Sequence, residues 1–257
     1  MTYPDPKPRM GFFTDSSVCI GCKACEVACK EWNEVPDDGL DFLATSYDNT
    51  GALGSESWRH VAFVEQTEAD RTRWLMSSDV CKHCTNAACL DVCPTGSLFR
   101  TEYGTVVVQP DVCNGCGYCV PACPFGVLDQ RKGDGRVWKC TLCYDRLGAG
   151  LEPACATACP TKSIQFGPLE ELREQAAGRL ETLREAGVAE ARLYGDDPDD
   201  GVGGAGAFFL LLDAPEVYRL PPAPVAGTRR LGSMWRSAAA AAVALVAGVA
   251  VSVARRP

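Results

Sequence analysis

Cys113-Asn-Gly-Cys116-Gly-Tyr-Cys119-Val-Pro-Ala-Cys123-Pro124 sets four thiols at C-x2-C-x2-C-x3-C spacing and then turns the chain away with a proline. The same spacing occurs near the start, in Cys19-Ile-Gly-Cys22-Lys-Ala-Cys25-Glu-Val-Ala-Cys29. Cys81, Cys84, Cys89 and Cys93 repeat it with the middle gap stretched to four residues, and Cys140, Cys143, Cys155 and Cys159 with that gap grown to eleven. These four quartets account for all 16 cysteines of the 257-residue chain.

Composition narrows what the thiols can be doing. A hydrophobic share of 46% with 23% charge excludes disorder, collagen-like repeats and a multi-span membrane protein. The net charge of -8 offers no phosphate-neutralising surface, so nucleic acid is set aside as a partner. The stretch from Met1 to Gly11 has no apolar core and no twin arginine, so the expectation is a chain that begins in a reducing cytosol, where disulfides are not kept. With only two histidines present, metal ligation is the reading that uses the cysteines.

Three thiolates in one loop of tight turns suit three corners of a 4Fe-4S cube, while the fourth cysteine of such a run reaches a partner cluster. Gly21, Gly115 and Gly117 make the turns possible, and Pro94, Pro124 and Pro160 lead the chain out in an extended conformation. Structural zinc, the alternative, favours two separated pairs and gives no reason for a regular third and fourth cysteine. The expectation is four complete 4Fe-4S clusters and no three-iron centre. With their thiolates they add a charge of about -8. Lys23, Lys30, Lys82, Arg131, Lys139, Arg146 and Lys162 lie near the ligands and are placed to balance it, although any one of these lysines reads more simply as a solvated surface charge.

Because fourth cysteines are exchanged, the quartets must pair. The 19 residues between Cys93 and Cys113, with a strand-like Gly104 to Gln109, suit a two-cluster unit made of quartets two and three. Quartets one and four are then left to each other. In this nested arrangement Cys19, Cys22, Cys25 and Cys159 hold one cluster, and Cys140, Cys143, Cys155 and Cys29 hold its partner. Cys81, Cys84, Cys89 and Cys123 hold a third, and Cys113, Cys116, Cys119 and Cys93 a fourth. The alternative, adjacent pairing, needs a 51-residue insertion inside one pair and is disfavoured.

Residues 1–165 read as the four-cluster region, with 30–80 an insertion carrying a hairpin: Trp58 to Val64 and Thr72 to Met76 alternate as strands about a turn at Thr67 to Asp70. His60 reads as a packing or surface residue, and His83 as one that packs or hydrogen-bonds beside the sulfurs. Residues 166–220 supply a helix over Pro168 to Ala189 and a hairpin of Ala191 to Tyr194 with Ala207 to Leu212. Gly203-Gly-Ala-Gly206 is a loop, since no strand-to-helix junction surrounds it. A proline-rich linker over 221–236 leads to an uncharged helix over 237–254, bracketed by Arg236 and by Arg255 and Arg256. At 1.5 Å per residue such a helix spans about 27 Å, which suits a membrane segment extended by Met234 and Trp235; an alanine-rich helix docked on a soluble partner is the alternative. Gly248 among alanines suits close helix packing.

Cys19 to Asn33 with its Lys-Glu-Trp-Asn ending, the block Cys113 to Phe125, Lys139 to Arg146 with Glu152-Pro-Ala-Cys155, and Pro215-Glu-Val-Tyr-Arg-Leu-Pro221 resemble the beta, iron-sulfur subunits of respiratory formate dehydrogenases. These belong to the four-cluster subunits of molybdenum and tungsten oxidoreductase complexes. Nitrate reductase beta subunits lack one cysteine of the third quartet, whereas Cys116 is present here. The resemblance covers residues 12 to 225. It implies an α+β fold of two ferredoxin-like dicluster halves related by a pseudo-twofold, plus a C-terminal helix in the membrane beside a cytochrome. It also implies a subunit that does no bond chemistry and relays electrons from a molybdopterin catalytic subunit toward cytochrome and quinone. Alternatives are the equivalent subunit of a dimethyl sulfoxide or sulfur-compound reductase or of a hydrogenase, and a free-standing polyferredoxin. Arg219, Arg229, Arg230 and Arg236 outnumber Arg255 and Arg256, which favours a cytoplasmic main body over export beside a partner with a twin-arginine signal.

Overall fold

A computed structural model describes residues 7–254 apart from 38, 40, 45, 46, 69 and 70. Every cysteine loop is entered from a strand and left through a turn of helix. Strand β1 (Met10–Asp15) leads into the first loop and helix α1 (Ala24–Trp32) out of it. An antiparallel hairpin of β2 (Arg59–Glu68) and β3 (Arg71–Val80) leads into the second, which ends in α2 (Ala88–Asp91). The hairpin of β4 (Leu98–Arg100) and β5 (Val106–Val108) precedes the third loop and α3 (Cys119–Ala122). A short pair, β6 (Asp129–Gln130) and β7 (Val137–Trp138), precedes the fourth, which carries α4 (Tyr144–Gly148) and α5 (Ala154–Thr157). Then follow β8 (Ile164–Pro168), α6 (Leu169–Glu185), β9 (Arg192–Tyr194), β10 (Ala207–Leu211) and α7 (Leu231–Ala254).

The hairpin expected around Thr67 is present and longer than the alternation suggested, with Arg59 opposite Val80 and Thr67 opposite Thr72; residues 69 and 70 of its turn lie outside the described residues. Ala207 to Leu211 pairs antiparallel with β9 as expected. What the pattern did not reveal is the sheet these strands join, in the order β8-β1-β10-β9, with β1 parallel to β10 and antiparallel to β8. Both faces of this sheet are covered. Phe13, Phe208 and Leu210 meet Leu169, Leu172 and Ala176 of α6, while Phe12, Phe209 and Leu211 belong to the core that contains the cysteines. Two-sided burial explains why Ala207 to Leu211 is a continuous apolar run without alternation. Helix α6 stops at Glu185, earlier than Ala189, and Gly187 follows with φ +89°.

Helix α7 begins at Leu231, six residues before the uncharged run from Ser237, because Arg236 is carried on the helix rather than ending it. Arg255 and Arg256 lie outside the described residues. The helix is long and apolar enough to cross a membrane by length and composition, and no part of its most apolar stretch is buried against the body.

Gly11 marks the tightest point of the sheet: a Cβ there would stand 2.3 Å from the carbonyl oxygen of Gly206. Gly11→Ala should therefore destabilise the fold by about 1–3 kcal/mol, since the obstacle is backbone. Gly178, in the middle of α6 with nothing near its missing Cβ, should gain about 0.5–1 kcal/mol as alanine. Anaerobic urea midpoints moving in the same direction for both variants would contradict this account of the sheet.

Candidate metal centres

The four loops share one backbone device. The residue before the second cysteine has positive φ in every quartet: Gly21 (+66°), His83 (+45°), Gly115 (+71°) and Leu142 (+58°). Glycine adopts this conformation freely, whereas His83 and Leu142 are held in it against steric cost by near-complete burial. The x3 spacing then becomes a helical turn: α1 carries Cys25 and Cys29, and α2, α3 and α5 carry Cys89, Cys119 and Cys155, with the fourth cysteine at or just past the helix end. Helix α1 packs on α5, and α2 on α3.

Thiols from remote runs meet as a result. One cavity is lined by Cys81, Cys84, Cys89 and Cys123 together with Val106, Val127 and Leu128. A second is lined by Cys19, Cys22, Cys25 and Cys159 with Val61 and Ile164. Cys29 lies among Cys140, Cys155 and Cys143, and Cys119 among Cys93, Cys113 and Cys116, in each case close enough for the neighbouring thiolates to raise its pKa. Burial, then mutual repulsion, pushes Cys140 to about 12. Cys89 also rises to about 12 and Cys119 to about 11, burial again being the main cause. Burial would raise Cys93 as well, but hydrogen bonds from Leu98, Thr95 and Ser97 leave it below the usual thiol value.

Such sulfur sets need strong positive charge before they can be anionic, which iron supplies. Yet among the described residues no three Cys, His, Asp or Glu side chains converge tightly enough for a single ion. The regular third and fourth cysteine of each loop suit a polynuclear cluster better than zinc, which favours two separated pairs. Donors to sulfur are in place as well: Leu142 N–H at 3.3 Å from Cys140 Sγ, and Asn33 Nδ2 at 3.8 Å from Cys29 Sγ and 3.9 Å from Cys143 Sγ.

Two of the lysines are not solvated, which corrects the simpler reading of them. Lys82 and Lys139 are each 1% exposed. The Nζ of Lys82 donates to Asp79 and, at 2.9 Å, to Val80 O, and stands 5.1 Å from the ring centre of Phe209. The Nζ of Lys139 donates to Val106 O and Cys140 O. His83 also lines the Cys81 cavity, and its Nδ1 accepts from Val106 N–H at 3.1 Å, which leaves the ring hydrogen on a buried Nε2 with no partner among the described residues. Burial, then Lys139, Arg100 and Arg9, hold its pKa well below the ordinary value, so the ring is neutral. His60 is a packing residue, its Nε2 2.7 Å from Asp48 Oδ2. Lys23 pairs with Glu26 and Asp48, Arg131 lies over Trp138 and Arg146 over Trp32.

The sequence did hold one unread signal. Cys-Pro-Thr-x-Ser occurs twice, at Cys93 to Ser97 and at Cys159 to Ser163. Ser97 Oγ donates to Gln109 O at 2.8 Å and Ser163 Oγ to Asp15 O at 2.7 Å, and each serine carbonyl accepts the N–H of that same residue. Each serine thus ties the exit of one cysteine run to the entry of another.

Residues 18–97 and 72–169 each match a 4Fe-4S dicluster domain, so the chain is a 4Fe-4S protein. It is 43% identical over 224 residues to the formate dehydrogenase iron-sulfur subunit of Haemophilus influenzae, covering 86% of this chain and 71% of that one. Against the iron-sulfur subunit of the nitrate-inducible formate dehydrogenase of Escherichia coli it is 40% identical over 238 residues, 91% of this chain and 79% of the other. The B subunit of the anaerobic dimethyl sulfoxide reductase of Escherichia coli is 38% identical over 170 residues, 65% of this chain and 77% of the other. This chain therefore belongs to the family of formate dehydrogenase iron-sulfur subunits.

Buried Glu26 fastens the β2–β3 hairpin to the first loop: its Oε1 accepts from Val61 N–H and from Lys23 Nζ. Glu26→Ala leaves that amide unpaired, a loss of about 1–3 kcal/mol, so exchange of the Val61 amide hydrogen should accelerate tenfold or more. Glu26→Gln keeps an acceptor and should exchange nearly as slowly as the native chain; equal acceleration in both would show that Glu26 does not hold the hairpin.

Proposed function

We propose that this chain is the electron-transfer subunit of a formate dehydrogenase-type complex. It would carry four 4Fe-4S clusters: the first on Cys19, Cys22, Cys25 and Cys159, the second on Cys29, Cys140, Cys143 and Cys155, the third on Cys81, Cys84, Cys89 and Cys123, the fourth on Cys93, Cys113, Cys116 and Cys119. The observation that carries this reading is the row the sulfurs form. Cys25 feels the charge of Cys155, Cys140 that of Cys81, and Cys89 that of Cys119, which supports a reading in which each proposed site neighbours the next in a file. Of the sixteen thiols, the exposed ones are Cys22 and Cys116, one at either end of that file. Bound there, the clusters would supply one-electron carriers; the chain's own residues bury all four cysteines of the second site, half-bury three of the third, and leave an opening at each end for a partner.

Exposed apolar side chains frame both openings, Ile20 and Val27 at one and Val112 and Tyr118 at the other. The root of α7 supports an assignment of ends. Ala226 packs with Ala88 and Val202, and Thr228 Oγ1 donates to Asp91 Oδ2 at 2.6 Å, beside the third and fourth sites. The Cys116 end would face a membrane cytochrome, with α7 as anchor, and the Cys22 end a molybdopterin catalytic subunit. The first and second sites would form one ferredoxin-like half and the third and fourth the other, the two related by a pseudo-twofold, which the matching serine ties favour. The equivalent role in a sulfoxide reductase complex is the second reading, resting on the shorter match to the sulfoxide reductase B subunit.

Pairing is tested by substitution. Cys29→Ala should alter the electron paramagnetic resonance signal of the second site and leave the third intact, whereas Cys93→Ala should alter only the fourth. Loss of the third site's signal in Cys29→Ala would establish adjacent pairing instead.

Function is tested on the intact complex, purified without oxygen. The chain should bring about sixteen irons and sixteen acid-labile sulfides, and formate should bleach the cluster absorbance only when the catalytic subunit is present. Zinc in place of iron would remove the cluster reading. Reduction linked to a sulfoxide but never to formate would move the chain to the second reading.

A further inference from the structure

Arg59 has no part in ligation, yet it is 2% exposed. It opens β2 directly opposite Val80, the residue before Cys81. Nη1 donates to Ser78 Oγ at 2.9 Å and Ser78 O at 3.4 Å, and the guanidinium stands 5.0 Å from the ring centre of Phe12. Nε and Nη2 are buried with no hydrogen-bond partner among the described residues. Burial alone would lower the pKa of this guanidinium, but Cys155, Cys25, Cys140 and Cys29 reverse the effect and raise it. Those four sulfurs come from the first site, which has Cys25, and the second, which has Cys29, Cys140 and Cys155. A permanently charged group with three N–H bonds unspent on two nitrogens is a poor thing to bury unless anionic acceptors lie on either side of it.

We propose that Arg59 is a positioning residue shared by the first and second centres, donating its free N–H groups toward sulfur at both and holding both at a higher reduction potential. The inference rests on the reading that those sites carry clusters. Reduction adds one negative charge to a site, and a fixed cation in a low-dielectric interior favours the more negative state. Since arginine does not deprotonate, the effect is constant across the working pH range.

Potentiometric titration of the whole complex, followed by electron paramagnetic resonance, tests this, with the four signals assigned from Cys159→Ala, Cys29→Ala, Cys123→Ala and Cys93→Ala, which disturb the first, second, third and fourth sites in that order. Arg59→Gln should make reduction of the first and second sites at least tenfold less favourable, a shift of 59 mV or more toward negative potential for a one-electron couple. The third and fourth should move much less, and Arg59→Lys should restore most of the difference. Unchanged potentials at the first and second sites, an equal shift at all four sites, or a lysine variant no better than glutamine would overturn the proposal. Should Arg59→Gln fail to load fully, retention of about eight irons with recovery of about sixteen in Arg59→Lys would support it; loss of four alone, or of all sixteen in both variants, would overturn it. If the native complex itself lacks iron, the cluster reading falls first.

Discussion

Thr14 faces Ile164 in the antiparallel pairing of β1 with β8, and this ladder sets Cys19, just beyond one strand, beside Cys159, just before the other. The β4–β5 hairpin does the same for Cys93 and Cys113, through Leu98 opposite Val108. A cysteine loop alone can present three sulfurs from one direction, so a fourth must come from elsewhere in the chain. Strand pairing is the means of delivery, and the serine of each Cys-Pro-Thr-x-Ser segment fixes its register with a reciprocal pair of bonds to the facing strand. The helix pairs α1 with α5 and α2 with α3 follow from the same geometry, because each helix begins where a loop delivers its third sulfur.

Packing sulfurs side by side inside a protein is unfavourable unless charge is supplied, and the upward displacement of the buried thiols expresses that cost. The chain answers with cations of its own at interior points. Lys82 and Lys139 are neighbours in sequence of Cys81 and Cys140, and each spends its hydrogen bonds on groups around the loop, two carbonyls for Lys139 and a carbonyl and the Asp79 carboxylate for Lys82, so ammonium charge is fixed near sulfur without pointing a donor at it. Arg59 differs, since two of its nitrogens are left with nothing else to bond. The neutral ring of His83, with its spare N–H inside the Cys81 cavity, adds a donor without adding charge.

Much of this was legible beforehand because it is written in local spacing. Runs of cysteine at x2 and x3, the glycines at Gly21 and Gly115 and the stripe of α6 all act within a few residues of themselves. The central sheet was not legible, since β1 is six residues buried on both faces and shows neither alternation nor a turn that names its partner. The buried lysines were hidden for another reason. Lysine is a surface residue on average, and nothing in the spacing around Cys81 and Cys140 shows that Lys82 and Lys139 are 1% exposed. Arg59 lay far from any cysteine until the β2–β3 register placed it across from Val80.

Helix α7 raises the opposite problem. Val243, Leu245, Val246 and Val249 are each more than 60% exposed, and a contiguous apolar surface of that kind is not stable in water. Its attachment is slight by comparison, a short turn at Gly227–Arg230 packed on α2 and the bond from Thr228 to Asp91. A helix held only at its root takes its orientation from whatever covers its sides, whereas the body, with every cysteine before residue 160 and a sheet closed by Leu211, draws nothing from α7 for its own packing. The body's packing therefore does not depend on what surrounds the helix, and those surroundings can orient the body without altering how its cysteine loops are built.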